Sequence, residues 1–159
     1  MERIVKKTAI ITISALVGVT AAIILIFSVF FPVASGDFCR NSGLYGMASG
    51  FYLRVYEKSG KAEDFSRYMD CEIVHADSTE NYKKLAAVGG DTVKYKDDLS
   101  ADDYDYYSFW TVQARYELGD YDLSVTFAYL SKSEKAAQLA QALAQDDASY
   151  AEAYNRVFK

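Results

Sequence analysis

From Thr8 to Gly36 the chain carries no charged residue, and the apolar heart of that run, Ile10 to Phe31, is 22 residues long. As an α-helix it would extend about 33 Å, close to the roughly 30 Å hydrocarbon core of a bilayer. Its only polar side chains are the hydroxyls of Thr12, Ser14, Thr20 and Ser28, which can bond back to helix carbonyls without breaking a span. Pro32 should end the helix. The expectation is an N-terminal transmembrane helix over residues 8–33, acting as a signal anchor. A cleaved signal peptide competes with it, because Arg3, Lys6 and Lys7 form a basic start and Val33-Ala34-Ser35 offers small residues for cleavage. The apolar core of such a peptide is usually about 7 to 15 residues, shorter than this one. No lipobox precedes Cys39.

Charge sets the orientation. The tip 1–7 has three basic residues and one acid, a net of +2, which leaves 14 basic and 21 acidic residues, a net of −7, for the rest of the total −5. Basic residues beside a span stay cytoplasmic. The tip is therefore expected inside, and the domain beyond the membrane is expected outside. The chain reads as a single-pass cell-membrane protein with a cytoplasmic N-terminus and an extracytoplasmic C-terminal domain. Within the span, Ser14, Gly18 and Ala22 lie four apart on one face, a spacing that lets two helices approach closely in lipid and would permit a homodimer.

Removing the anchor leaves about 123 residues, the size of one domain. Fourteen Tyr and nine Phe can supply a core, while one Pro and nine Gly are too few turn residues for a β-sandwich or barrel. The acidic balance speaks against nucleic acid and against anionic head groups. Cys39 and Cys71 are an even pair in a domain expected outside, which suggests a disulfide. Closing that loop of about 33 residues would stabilise by about 3.7 kcal/mol in the chain-entropy model.

Residues 34–43 read as a polar linker, with Asn41 or Ser42 able to cap a helix. Leu44, Met47, Ala48, Phe51 and Val55 then keep helical spacing to Lys58, and Ser59-Gly60 closes the helix. A second helix from Ala62 to Ala76 returns antiparallel. Asp77 with Glu80 reads as a capping box for a short helix to Val88, and 91–99 as a loop. Ser100 caps a helix to Leu118 that is apolar on nearly every face, the mark of a central element. Gly119-Asp120 turns the chain into a helix with Leu123, Val125, Phe127, Ala128 and Leu130. Ser131 with Glu134 caps another, Asp146-Asp147 breaks it, and a last helix carries Tyr150, Tyr154, Val157 and Phe158. The domain 44–159 is expected to be all-α.

Tyr116, Gly119, Tyr121 and Ser124, with Ala114 before them, have the spacing of a helix–turn–helix repeat. Over 114–128 the chain resembles a tetratricopeptide repeat, with Ala128 standing where that family has a larger apolar residue. Tyr56, Gly60 and Phe65 are a looser echo about 60 residues earlier, whereas a regular array repeats at about 34. The resemblance implies a helical-hairpin bundle or short solenoid that binds a peptide or protein.

Chemistry is sparse. The only histidine, His75, could share a helix face with Cys71 and Glu72, but a structural zinc needs four ligands and only Cys39 is left as a third. Asp97, Asp98, Asp102, Asp103 and Asp105 lack the spacing of a calcium loop and suit caps and a solvated face. There is no nucleophile elbow and no phosphate-binding glycine loop. No metal or cofactor is expected, and no catalytic residue is assigned. The surplus of tyrosine around the central hairpin points to an aromatic contact surface, with Tyr107, Trp110, Tyr116 and Tyr121 as the expected contact residues. The expectation is a non-catalytic interaction or scaffold module with a protein partner in the cell envelope. A secreted ligand-binding or effector protein is the second reading, and an acid-based hydrolase with two converging carboxylates the third.

Overall fold

The structure is a computed structural model that describes the backbone from Glu2 to Lys159 and the side chains from Thr12 onward, apart from Ile24 and Ser28. The side chains of the tip 1–7, on which the expected charge asymmetry rests, lie outside the described residues. Among the described residues there are nine α-helices and no strand. They are α1 (Glu2–Phe30), α2 (Pro32–Asn41), α3 (Tyr45–Ser59), α4 (Ala62–Thr79), α5 (Lys83–Gly89), α6 (Ala101–Glu117), α7 (Tyr121–Ser131), α8 (Glu134–Asp146) and α9 (Ala148–Phe158). A 3₁₀ turn, Gly90–Tyr95, joins α5 toward α6.

Phe31 and Pro32 break the first two helices apart. Proline has no amide hydrogen and disfavours helical backbone in the residue before it. Phe31 accordingly leaves the helical region, at φ −129° and ψ 58°, and Pro32 opens α2 as its first residue. The chain bends by 110° there. Among the described residues no single helix is long and apolar enough to cross a membrane, although Thr12–Phe27 and Pro32–Asn41 meet that requirement as a bent pair by length and composition.

The segment expected as a linker, 34–43, is largely helical. Its inward residues are Gly36 and Cys39, and a side chain at Gly36 would lie 2.7 Å from the Tyr52 ring. The bare glycine lets α2 lie flat on α3, and Asp37 accepts a 2.6 Å hydrogen bond from the Tyr52 hydroxyl. Gly60, left-handed at φ 60°, then turns α3 into α4.

The expected capping box at Asp77 does not form. Instead α4 runs on to Thr79, and Glu80 takes the left-handed closing position at φ 53°. Burial decides this: Ile73 and Ala76 are sealed in the core, and the hydroxyls of Ser78 and Thr79 donate to the carbonyl of His75. Residues 91–99 contain helical turn rather than loop, held by Thr92, whose buried hydroxyl donates to the Gly89 carbonyl at 2.6 Å. The cap at Ser100 forms as expected, accepting from the Asp103 amide. Ser133, not Ser131, caps α8, and Asp147 caps α9.

Two buried clusters result. The first holds Tyr52, Phe65, Tyr68, Met69 and Leu85 from α3, α4 and α5, together with Tyr107 and Ala114 of α6. The second holds Val112 of α6 with residues of α7, α8 and α9, among them Phe127, Ala136, Ala140 and Tyr150. The central helix therefore contributes one face to each cluster. Each fully buried large apolar side chain stabilises by about 1.5–3 kcal/mol, so α6 is where the two cores are joined.

Candidate functional site

The four expected contact residues do not share one surface. Tyr107 is 1 % exposed, and its hydroxyl donates to the Asp70 carboxylate at 2.8 Å. Burial, then the hydrogen bond to Asp70 and its charge, pushes its pKa up. It is a core residue and offers nothing to a partner, which corrects the expectation. Trp110, one turn on, is half-buried against the first cluster. Tyr106 meets it edge-on at 6.5 Å and Phe109 at 5.9 Å. Tyr106 is 42 % exposed, more open than the Tyr107 beside it, and is not among the four expected contact residues. The signal was available: Tyr106 and Trp110 are four apart, hence stacked on one stripe of α6.

Tyr116 and Tyr121 lie at the far end of α6, across the Gly119 turn, where Gly119 is left-handed at φ 75°. Their rings stack at 5.5 Å, and both meet Tyr150 of α9 edge-on. The Tyr116 hydroxyl reaches the Asp147 carboxylate at 3.4 Å. That carboxylate also accepts the amides of Ser149 and Tyr150. Chiefly the Tyr150 amide, and then the tyrosine hydroxyls, hold Asp147 below the usual carboxylate range. Ser124 is the small residue of this hairpin: it is buried, and its hydroxyl donates to the Val112 carbonyl at 2.9 Å. The small side chain lets α6 and α7 close on each other. This cluster ties the α6–α7 turn to the start of α9, with the ring edges half-exposed.

Cys39 and Cys71 are both buried free thiols in the first cluster, so the expected bond between them is not present. Burial pushes the Cys71 thiol up to about 11, against the opposing pull of Arg40, the residue after Cys39. His75 packs over Gly46, where a side chain would come within 2.7 Å of its ring. Among the described residues no group of three or more His, Cys, Asp or Glu side chains is placed to hold a metal ion. Glu72 is buried with Oε2 lacking a hydrogen-bond partner. Its charge, after burial, helps raise the neighbouring Tyr68 phenol. The acidic cluster separates: Asp103 accepts from Ser100 and Asp105 from Ser133, while Asp97, Asp98 and Asp102 are exposed.

Two hollows lie at the α1–α2 elbow. One of about 470 Å³ is walled by Ile23, Phe27, Phe38, Leu44, Met47 and Phe51 among others, and another of about 460 Å³ by Val29, Pro32, Arg54, Val55 and Lys58 with Ser59. Neither these nor the hollow beside His75 is lined by a carboxylate. Ser14, Gly18 and Ala22 are exposed on α1, and a side chain at Gly18 would have nothing within 4 Å. Comparison of the chain with protein-family models, with curated proteins and with solved structures finds no match.

Proposed function

We propose that the chain is a single-pass membrane-anchored, non-catalytic interaction module, with α1 as its anchor and α2 to α9 as an extracytoplasmic helical scaffold for a protein of the cell envelope. One observation carries this reading. Along α1 the apolar side chains Ile13, Leu16, Val17, Leu25 and Val29 are each more than 60 % exposed. Burying such a side chain is worth about 1.5–3 kcal/mol, so a helix that leaves every one of them uncovered calls for lipid. The backbone is helical without a break from Glu2 to Phe30, which carries the uncharged run of 8–30 in one element.

On this reading the α6–α7 pair is a tetratricopeptide-like hairpin, supported by the left-handed Gly119 turn, the Tyr116–Tyr121 stack and the buried small residue Ser124. Trp110 with its neighbour Tyr106 forms one contact patch on the first cluster, and the edges of Tyr116 and Tyr121 form a second on the other. Anchoring confines the domain to the plane of its partners, and the high effective concentration lets weak contacts suffice. The exposed stripe Ser14, Gly18 and Ala22 offers a second contact, between two copies of α1 in lipid.

Cross-linking of the full-length protein in its native membranes, followed by mass spectrometry, tests the scaffold. The expected result is cross-links from 106–121 to one envelope protein, lost in Trp110→Ala with helicity retained. Capture of nothing but the monomer contradicts it.

A further inference from the structure

We propose that the elbow between α1 and α2 is a phospholipid seat: the apolar face of α2 and α3 enters the bilayer beside α1, and Arg54 and Lys58 meet the lipid phosphate. The proposal rests on the reading of α1 as a membrane span and adds what the adjoining domain does to the bilayer.

A bend of 110° carries α2 past the perpendicular to α1. With α1 along the bilayer normal, α2 lies nearly in the membrane plane and leans back toward the hydrocarbon. That lean brings Phe38 of α2, and Leu44, Met47 and Phe51 at the start of α3, alongside Ile23 and Phe27 of α1. Ile23 stands seven residues before the end of α1, about 10 Å back along its axis. Interfacial amphipathic helices bury their apolar faces to a similar depth, roughly 5–10 Å. Whatever surrounds Ile23 and Phe27 in a membrane therefore also surrounds these side chains. The described protein leaves them open: Phe38 is 70 % exposed and Met47 57 %.

The same surface continues into charge. Met47, Phe51 and Arg54 wall a shallow hollow of about 240 Å³, and the Arg54 guanidinium lies 6.0 Å from the Phe51 ring centroid. Arg54 then lines the next hollow with Lys58, over a floor of Val29, Pro32 and Val55. Neither cation forms an ion pair among the described residues. In a chain whose portion after residue 7 carries a net −7, two unpaired cations beside the last turns of the span are placed against the general charge. That sequence of apolar wall, aromatic edge and cation follows an acyl chain up to its phosphate. A soluble phosphate would use the cations and leave the apolar wall uncovered; a bilayer phospholipid fits both.

Photo-cross-linking tests it with full-length protein in phosphatidylcholine vesicles containing phosphatidylglycerol that carries a diazirine on its acyl chain. The expected products label α1 and also peptides covering 38–51. In the double variant Arg54→Glu, Lys58→Glu, labelling of 38–51 falls on the order of tenfold, as loss of two interfacial cations predicts, while labelling of α1 persists. Both residues are exposed, and unchanged far-ultraviolet circular dichroism verifies the fold. Label confined to α1 overturns the seat and leaves the span reading standing. Undiminished labelling of 38–51 in the double variant overturns the role of the cations. Absence of label everywhere, with the protein released by alkaline carbonate, overturns the span and the seat together.

Discussion

The first cluster is built mainly on rings and long side chains, with Tyr52, Phe65, Tyr68 and Met69 each at 1 % exposure or less, whereas half of the eight buried residues of the second are alanines, Ala128, Ala136, Ala140 and Ala153, set among Val112, Val125, Phe127 and Tyr150. The rings also carry hydroxyls that reach acids at the edge of the core: Tyr52 to Asp37, Tyr56 to Asp91 and Tyr107 to Asp70. Removing a large buried side chain leaves a cavity that its neighbours fill only in part, while a buried alanine leaves little room for added methylenes. The two halves of one all-α chain thus fail in opposite ways. The first is sensitive to removal of volume and the second to its addition.

The largest effect should come from Phe65→Ala. Phe65 is fully buried and touches the rings of Tyr56, Tyr95 and Tyr107, so its loss should cost about 3–5 kcal/mol, read from the urea midpoint. A loss below about 1 kcal/mol, the range of an ordinary surface-to-average substitution, would break the contrast. Next comes Ala140→Leu in the second cluster, where added methylenes should cost about 1–3 kcal/mol. A neutral result there would mean that α7, α8 and α9 are loosely packed.

Tyr107→Phe sharpens the role of the edge acids. It keeps the ring and removes the hydrogen bond to Asp70, at a cost of about 1 kcal/mol. Asp147 supplies a pH test. Its folded-state pKa is depressed, so its contribution is present above the ordinary carboxylate range and is lost as pH falls through the folded value. Asp147→Asn keeps the cap, since Asn caps as well as Asp, and should flatten the acid limb of the stability curve below about pH 4. An unchanged acid limb would remove Asp147 as its source. The smallest readout is chemical. With Cys71 held up to about 11 by burial and Cys39 buried, neither thiol should react with a maleimide until urea unfolds the first cluster. Rapid labelling under native conditions, or an intact mass showing a disulfide, would contradict that packing.

Features written in a few adjacent residues were legible in the sequence. The Ser100 cap, the Gly60 turn and the apolar girdle of α6 each depend on local chemistry. Two others were hidden. The helix α2 turns only Gly36 and Cys39 inward, too small to leave an apolar period, and it forms because Tyr52 of α3 presses on the bare glycine. At Asp77 a sound local signal was overruled, since ending α4 there would uncover Ile73 and Ala76. The proposed contact residues were legible only in part. Composition marks α6 as rich in aromatic rings, but the exposure that separates Tyr106 from Tyr107, neighbours in the chain, is set by where α4 packs.

The account turns on whether α1 lies in a membrane. The most direct measurement is alkaline carbonate extraction of native membranes carrying the full-length protein, with the intact mass of the recovered chain. The account predicts the protein in the pellet at its full mass, with α1 attached. Release into the supernatant as a chain starting near residue 36 would contradict the anchor and leave a secreted helical domain in its place.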